Sequence, residues 1–122
     1  VSNAFGLGFF IDIIKPKNKP VLAIAMTIGN TPQFIRSFTS IKEKERIRII
    51  GGIQRELLKF GVEHNVQPSA SQPERISITD ILYTEDITRT SFMGSIRRVK
   101  LASLYTIWSL QQKFMPDKEP TP

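Results

Sequence analysis

The sequence predicts an α+β domain, with an antiparallel sheet of about four strands and two long helices packed on it. The order along the chain is strand, strand, helix, strand, strand, helix, and three observations predict it. Apolar residues alternate or run together over strand lengths near residues 7–15, 21–28 and 75–83. Two longer stretches, 41–60 and 90–114, repeat their apolar residues at helical spacing instead. Between them lie turn-forming clusters such as Pro16-Lys17-Asn18-Lys19-Pro20. A length of 122 residues suits one domain, here residues 1–114, followed by a flexible tail over 115–122 that holds three prolines.

The first strand is rich in Phe and Ile. Leu7, Phe9, Ile11 and Ile13 share one face by the two-residue period, and Phe10, Asp12 and Ile14 share the other. The turn at 16–20 returns the chain as a β-hairpin. The second strand sets Leu22, Ile24, Met26 and Ile28 opposite Val21, Ala23 and Ala25, so it is expected at the sheet centre, buried on both sides or nearly so. A break follows at Gly29-Asn30-Thr31-Pro32. Ser40 with Glu43 three positions later then reads as a capping box, opening a helix over 41–60.

On that helix Ile49, Ile50, Ile53, Leu57 and Phe60 fall in one arc, and Gly61 stands where a left-handed cap is expected. Gly51-Gly52 in its middle marks either a bend or a close approach to another backbone. Residues 62–66 read as a short strand, Gln67 to Pro73 as an exposed loop, and Arg75 to Tyr83 as a cleanly alternating strand. Glu85 and Asp86 place negative charge ahead of the second long helix, opposing the positive end of its dipole.

Composition excludes several function classes. Hydrophobic residues at 40% and charged residues at 23% exclude wholesale disorder. With no Cys there is no disulfide framework, thiol nucleophile or thiolate metal site, and a cytoplasmic setting is expected. Abundant Ile without thiols is a composition associated with thermophile proteins. The chain opens Val1-Ser2-Asn3-Ala4 without an initiator Met, so an N-terminal element preceding it is expected; no targeting segment is read before Phe5. His64, the single histidine, reads as a surface residue, and no catalytic or metal-ligand spacing appears anywhere. The expectation is therefore a protein without enzymatic activity, cofactor or metal.

Two surfaces are candidates for binding. A formal charge of +6 favours anionic partners. On the first long helix Lys44, Arg48, Arg55 and Lys59 fall within about 60° of one another, away from the apolar arc, as either a solvated face or a nucleic-acid contact. On the second helix Phe92, Ile96, Val99, Ile107, Leu110 and Phe114 form a core-facing arc. Met93, Leu101, Leu104, Tyr105 and Trp108, joined by Arg97, form a second apolar group that one sheet cannot also cover. An N-terminal helix or the long loops are one covering. The other is a homodimer or protein partner contacting Met93, Arg97, Leu101, Leu104 and Trp108, since Trp, Tyr, Met and Arg are enriched at interfaces.

The hairpin Phe9-Phe10-Ile11-Asp12-Ile13-Ile14 with Val21-Leu22-Ala23-Ile24-Ala25-Met26 precedes a helix opening Ile41-Lys42-Glu43-Lys44-Glu45-Arg46. This order resembles the type III secretion chaperone-like fold, and within it an uncharacterised archaeal family related to YbjN-like proteins. The resemblance covers most of residues 9–114. It implies a non-enzymatic, commonly dimeric domain that offers its sheet, helices or backbone edges to partner polypeptide.

Overall fold

The computed structural model describes residues 11–29 and 32–114. Over these residues the chain forms β1 (Asp12–Ile14), β2 (Val21–Gly29), α1 (Pro32–Thr39), α2 (Glu43–Leu57), β3 (Glu63–Pro68), β4 (Pro73–Tyr83) and α3 (Arg89–Phe114), with 3-10 turns at Leu58–Phe60 and Thr84–Asp86. The α+β class and the four-stranded antiparallel sheet are as expected, with a third, shorter helix added. The expectations for residues 7–10 and for the tail at 115–122 lie outside the described residues, as does the side chain of Phe114.

The sheet order is β1-β2-β4-β3, which puts β2 in the interior as its apolar run anticipates. Every pairing is antiparallel, and the central pair runs in register from Val21 opposite Tyr83 to Gly29 opposite Arg75. Alternation then decides what each face does. Ile24, Met26 and Ile28 of β2 and Ile76 and Ile78 of β4 are buried against the helices. Their alternates Ala23 and Ala25 are half-buried, while Thr27, Ile81 and Tyr83 are exposed. The expectation that β2 is buried on both sides is thus corrected. Among the described residues helices cover one face of the sheet, and the other face leaves Ile14, Ile81 and Tyr83 exposed beside the half-buried Ala23 and Ala25.

The segment between β2 and α2 departs most from the sequence reading. Pro32 opens α1, a position where its missing N–H and fixed φ suit a helix start. Ser40 does not cap α2. Its hydroxyl donates to the Ser37 carbonyl at the end of α1, and α2 starts after Lys42 without a side-chain cap. Arg46 joins the pieces: its Nε donates to the Ser71 carbonyl at 2.7 Å, and its guanidinium also reaches the carbonyls of Phe38 and Ile41. A cation there meets the negative end of the α1 dipole and ties α1 to the β3–β4 loop.

A capping box does form at the start of α3. The Thr88 hydroxyl accepts from the Ser91 backbone N–H at 3.0 Å, and the Ser91 hydroxyl accepts from the Thr88 N–H at 2.9 Å. Glu85 and Asp86 lie in the 3-10 turn just before it. At the other end of α2 the last expected turn tightens into the 3-10 turn, and Gly61 adopts φ +73° as the left-handed cap expected of it. The Gln67 to Pro73 loop is shorter than expected, because β3 runs on through Pro68 and β4 begins at Pro73.

The core collects Ile50, Ile53 and Leu57 from α2 and Val99, Ala102, Ile107 and Leu110 from α3 with the inner sheet face and Phe38. Small side chains on α3, Ser95, Ala102, Ser103 and Thr106, are fully buried and let the helix backbone lie close to the sheet. Thr106 donates its hydroxyl to the Ala102 carbonyl. Asp80 sits on the inner face between Ile78 and Leu82, and its carboxylate accepts from Ser95 at 2.6 Å and from Arg98 at 2.7 Å, joining β4 to α3.

Candidate functional site

Successive residues of a helix turn by about 100°, so on α3 the buried residues Ser95, Val99, Ala102, Thr106 and Leu110 define one side. Met93, Arg97, Leu101, Leu104 and Trp108 fall on the opposite side. All five are exposed: Met93 by 55%, Leu101 by 45%, Leu104 by 38% and Trp108 by 57%, with Arg97 among them. None of α1, α2 or the described loops covers this row. The sequence reading thus placed these residues together correctly, and the helix is apolar on both sides.

Tyr105 does not belong with them. It is half-buried, and its ring packs against Phe60 with centroids 5.6 Å apart, turning inward toward the end of α2. The row spans about 22 Å of helix at 1.5 Å per residue. Its apolar surface is on the order of 400 Å², the size at which a patch on a monomer is commonly functional.

The basic face of α2 is where its spacing placed it, and Lys44, Arg48, Arg55 and Lys59 are all exposed. They are not equivalent. Arg48 pairs with Glu45, and Lys59 pairs with Glu56 at 3.0 Å, both within the helix. The hydrogen bond from Arg48 holds the Glu45 carboxyl below its ordinary range, aided by the charges of Arg48 and of Lys113 on α3, and it raises the Arg48 guanidinium in turn. A depressed carboxylate contributes stability above its unfolded-state pKa and loses it as pH falls through the folded value. Because both partners are exposed, solvent screening keeps this contribution minor.

Arg55 and Lys113 carry no ion pair among the described residues. Together with Arg48 they border a cleft of about 260 Å³ between α2 and α3, whose remaining lining is Ile49, Gly52, Ile53, Tyr105 and Ser109. Sequence reasoning missed this cleft, since its residues come from two helices far apart in the chain. The glycine pair was the available signal. An added Cβ at Gly51 or Gly52 would meet only the Arg55 guanidinium, at 3.6 and 3.8 Å. The pair lies within one unbroken helix and receives no other backbone; it leaves bare helix over which Arg55 lies. Gly51→Ala is accordingly expected to stabilise the fold by up to about 1 kcal/mol through helix propensity, read as a higher urea midpoint.

His64 stands in edge strand β3 opposite Ile78, half-buried, and its side chain makes no hydrogen bond or ion pair among the described residues. Among the described residues no group of three or more His, Cys, Asp or Glu is placed to hold a metal. No helix among them is long and apolar enough to cross a membrane.

No curated protein matches the sequence. A crystal structure of an uncharacterized protein from Methanothermobacter thermautotrophicus superimposes with a TM-score of 0.77, covering 85% of this chain and 73% of that one at 24% identity. At that identity the likeness shows a shared fold and nothing of activity. It places an archaeal protein beside this chain, as the resemblance implied, while neither comparison contains a secretion chaperone or a YbjN-like protein. A family model matches residues 1–110, and the chain therefore belongs to the family described as Uncharacterized conserved protein (DUF2299).

Proposed function

We propose that this protein is a non-enzymatic interaction domain that pairs with a second copy of itself through the outer face of α3. The observation that carries this reading is the exposed row Met93, Arg97, Leu101, Leu104 and Trp108, opposite the buried side of the same helix. A surface that pairs with itself about a two-fold axis must be self-complementary. The row meets that condition, because its spacing is nearly the same read from either end about the point between Lys100 and Leu101. Two α3 helices crossing antiparallel there bring Met93 against Trp108 of the partner subunit and Arg97 beside Leu104 of the partner subunit. Leu101 lies near its own copy. Thioether on indole and apolar burial both favour that pairing.

The chaperone-like role implied by the order of strands and helices uses the same face, with a client polypeptide in place of the second copy. The nucleic-acid reading of the α2 stripe has less support, since two of its four cations are held by neighbouring carboxylates.

Light scattering at low and high salt tests the proposal. A dimer is expected at both, because apolar association is not screened by salt. Leu104→Glu places a charge at the centre of the face and is expected to leave a folded monomer, with the mass halved at a concentration where the parent chain is dimeric. A monomeric parent chain at both salts, or a Leu104→Glu chain that remains dimeric, would overturn it.

A further inference from the structure

We infer that the cleft between α2 and α3 binds a small phosphate-bearing molecule. Its charged lining consists of donors only: the guanidinium groups of Arg48 and Arg55 and the ammonium of Lys113, with no carboxylate among the lining residues. Arg48 is shared with Glu45 at the rim, whereas Arg55 and Lys113 have no ion pair among the described residues. The Arg55 guanidinium and the Lys113 ammonium, approaching from two helices beside the one terminal nitrogen of Arg48 that Glu45 leaves unengaged, offer more directions of donation than a planar carboxylate can accept. A tetrahedral phosphate, with three terminal oxygens, matches them.

The second observation is Ser109. It is only 5% exposed, it lines the cleft, and its hydroxyl has no hydrogen-bond partner among the described residues. That hydroxyl keeps contact with solvent at the cleft and borders the space where an anion would be held, so it is free to donate there. Ile49, Ile53 and the bare backbone of Gly52 form the apolar part of the lining, against which the rest of such a ligand would pack. A volume of about 260 Å³ lies at the small end for ligand sites, so the ligand is a phosphate or diphosphate with a short organic part, not a polymer.

The test uses sodium pyrophosphate as the probe. The full chain, labelled with ¹⁵N, is titrated at constant ionic strength against sodium chloride, with a single-stranded oligonucleotide in a parallel arm. Saturable one-to-one binding is expected, with amide shifts concentrated at Gly52, Tyr105 and Ser109. Arg55→Gln and Lys113→Gln are each expected to weaken it about tenfold, the loss of one charge-assisted hydrogen bond. Ser109→Ala should weaken it several-fold, and Lys17→Gln in the β1–β2 turn should leave it unchanged. Both charge variants are surface substitutions, and the parent spectrum elsewhere in the chain confirms that they fold.

Shifts that follow ionic strength across the whole surface, or affinities that ignore Arg55→Gln and Lys113→Gln, would overturn the assignment. Oligonucleotide binding without saturation by pyrophosphate would overturn it as well and give these cations to a nucleic acid.

Discussion

Phe38→Ala is expected to lower the stability of this protein by about 3–5 kcal/mol, the range for removing a fully buried aromatic side chain. Phe38 is 1% exposed and joins the core from α1, the short helix that lies against β4. Two effects combine. The ring leaves a cavity that its neighbours fill only in part, and α1 loses its anchor. An eight-residue helix lies below the roughly 12 residues at which an isolated helix becomes even marginal in water, so α1 persists only while docked. Urea denaturation reads the total, and amide exchange over residues 33–39 reads the undocking. Phe38→Leu, which keeps much of the volume, should cost less than half as much. A loss below about 1 kcal/mol for the alanine variant would show that α1 is not part of the core.

Asp80→Ala is expected to cost about 2–3 kcal/mol, through unpaired neighbours more than through lost volume. The Asp80 carboxylate takes two donors at once, the Ser95 hydroxyl and the Arg98 guanidinium. The Ser95 side chain is fully buried, so its hydroxyl would be left without a partner and without water. Arg98 is less affected, since its side chain is 44% exposed against 14% for Asp80. Asp80→Asn keeps an acceptor for Ser95 and should therefore recover about half of the loss. Equal losses in Asp80→Asn and Asp80→Ala would instead mean that the charge on Arg98 dominates. A thermal or urea midpoint separates these outcomes.

What the sequence makes legible follows from how locally each signal is encoded. The strands β2 and β4 and the helix α3 are long and strongly periodic, and their spans agree with the sequence reading to within a residue or two. Gly61 is legible for the same reason, because its left-handed conformation depends on the residues beside it. The helix α1 is not legible. Its eight residues begin on the proline of the Gly-Asn-Thr-Pro break, and what makes them helical is docking against β4. Ser40 and Glu43 match a capping pattern, yet Ser40 has already been taken by the end of α1. The exposed row on α3 could be grouped from 100° steps alone, whereas the inward turn of Tyr105 required Phe60 to be placed first. The α2–α3 cleft was beyond periodicity altogether, since Arg55 and Lys113 meet only after the helices pack.

The sheet order also sets the course of folding. The β1–β2 and β3–β4 hairpins are each local, but the seam between β2 and β4 joins Val21 to Tyr83, and everything between them is enclosed as a loop. Loop-closure entropy opposes that contact until α1, α2 and β3 are compact enough to shorten the effective distance. The middle of the sheet is therefore expected to be its last part to close. Until then the chain holds two half-sheets, one carrying Ile24, Met26 and Ile28 and the other Ile76 and Ile78, each with an unpaired inner strand beside apolar side chains. Refolding yield is consequently expected to fall as protein concentration rises, because in that interval a second chain competes with the molecule's own strand for the open edge.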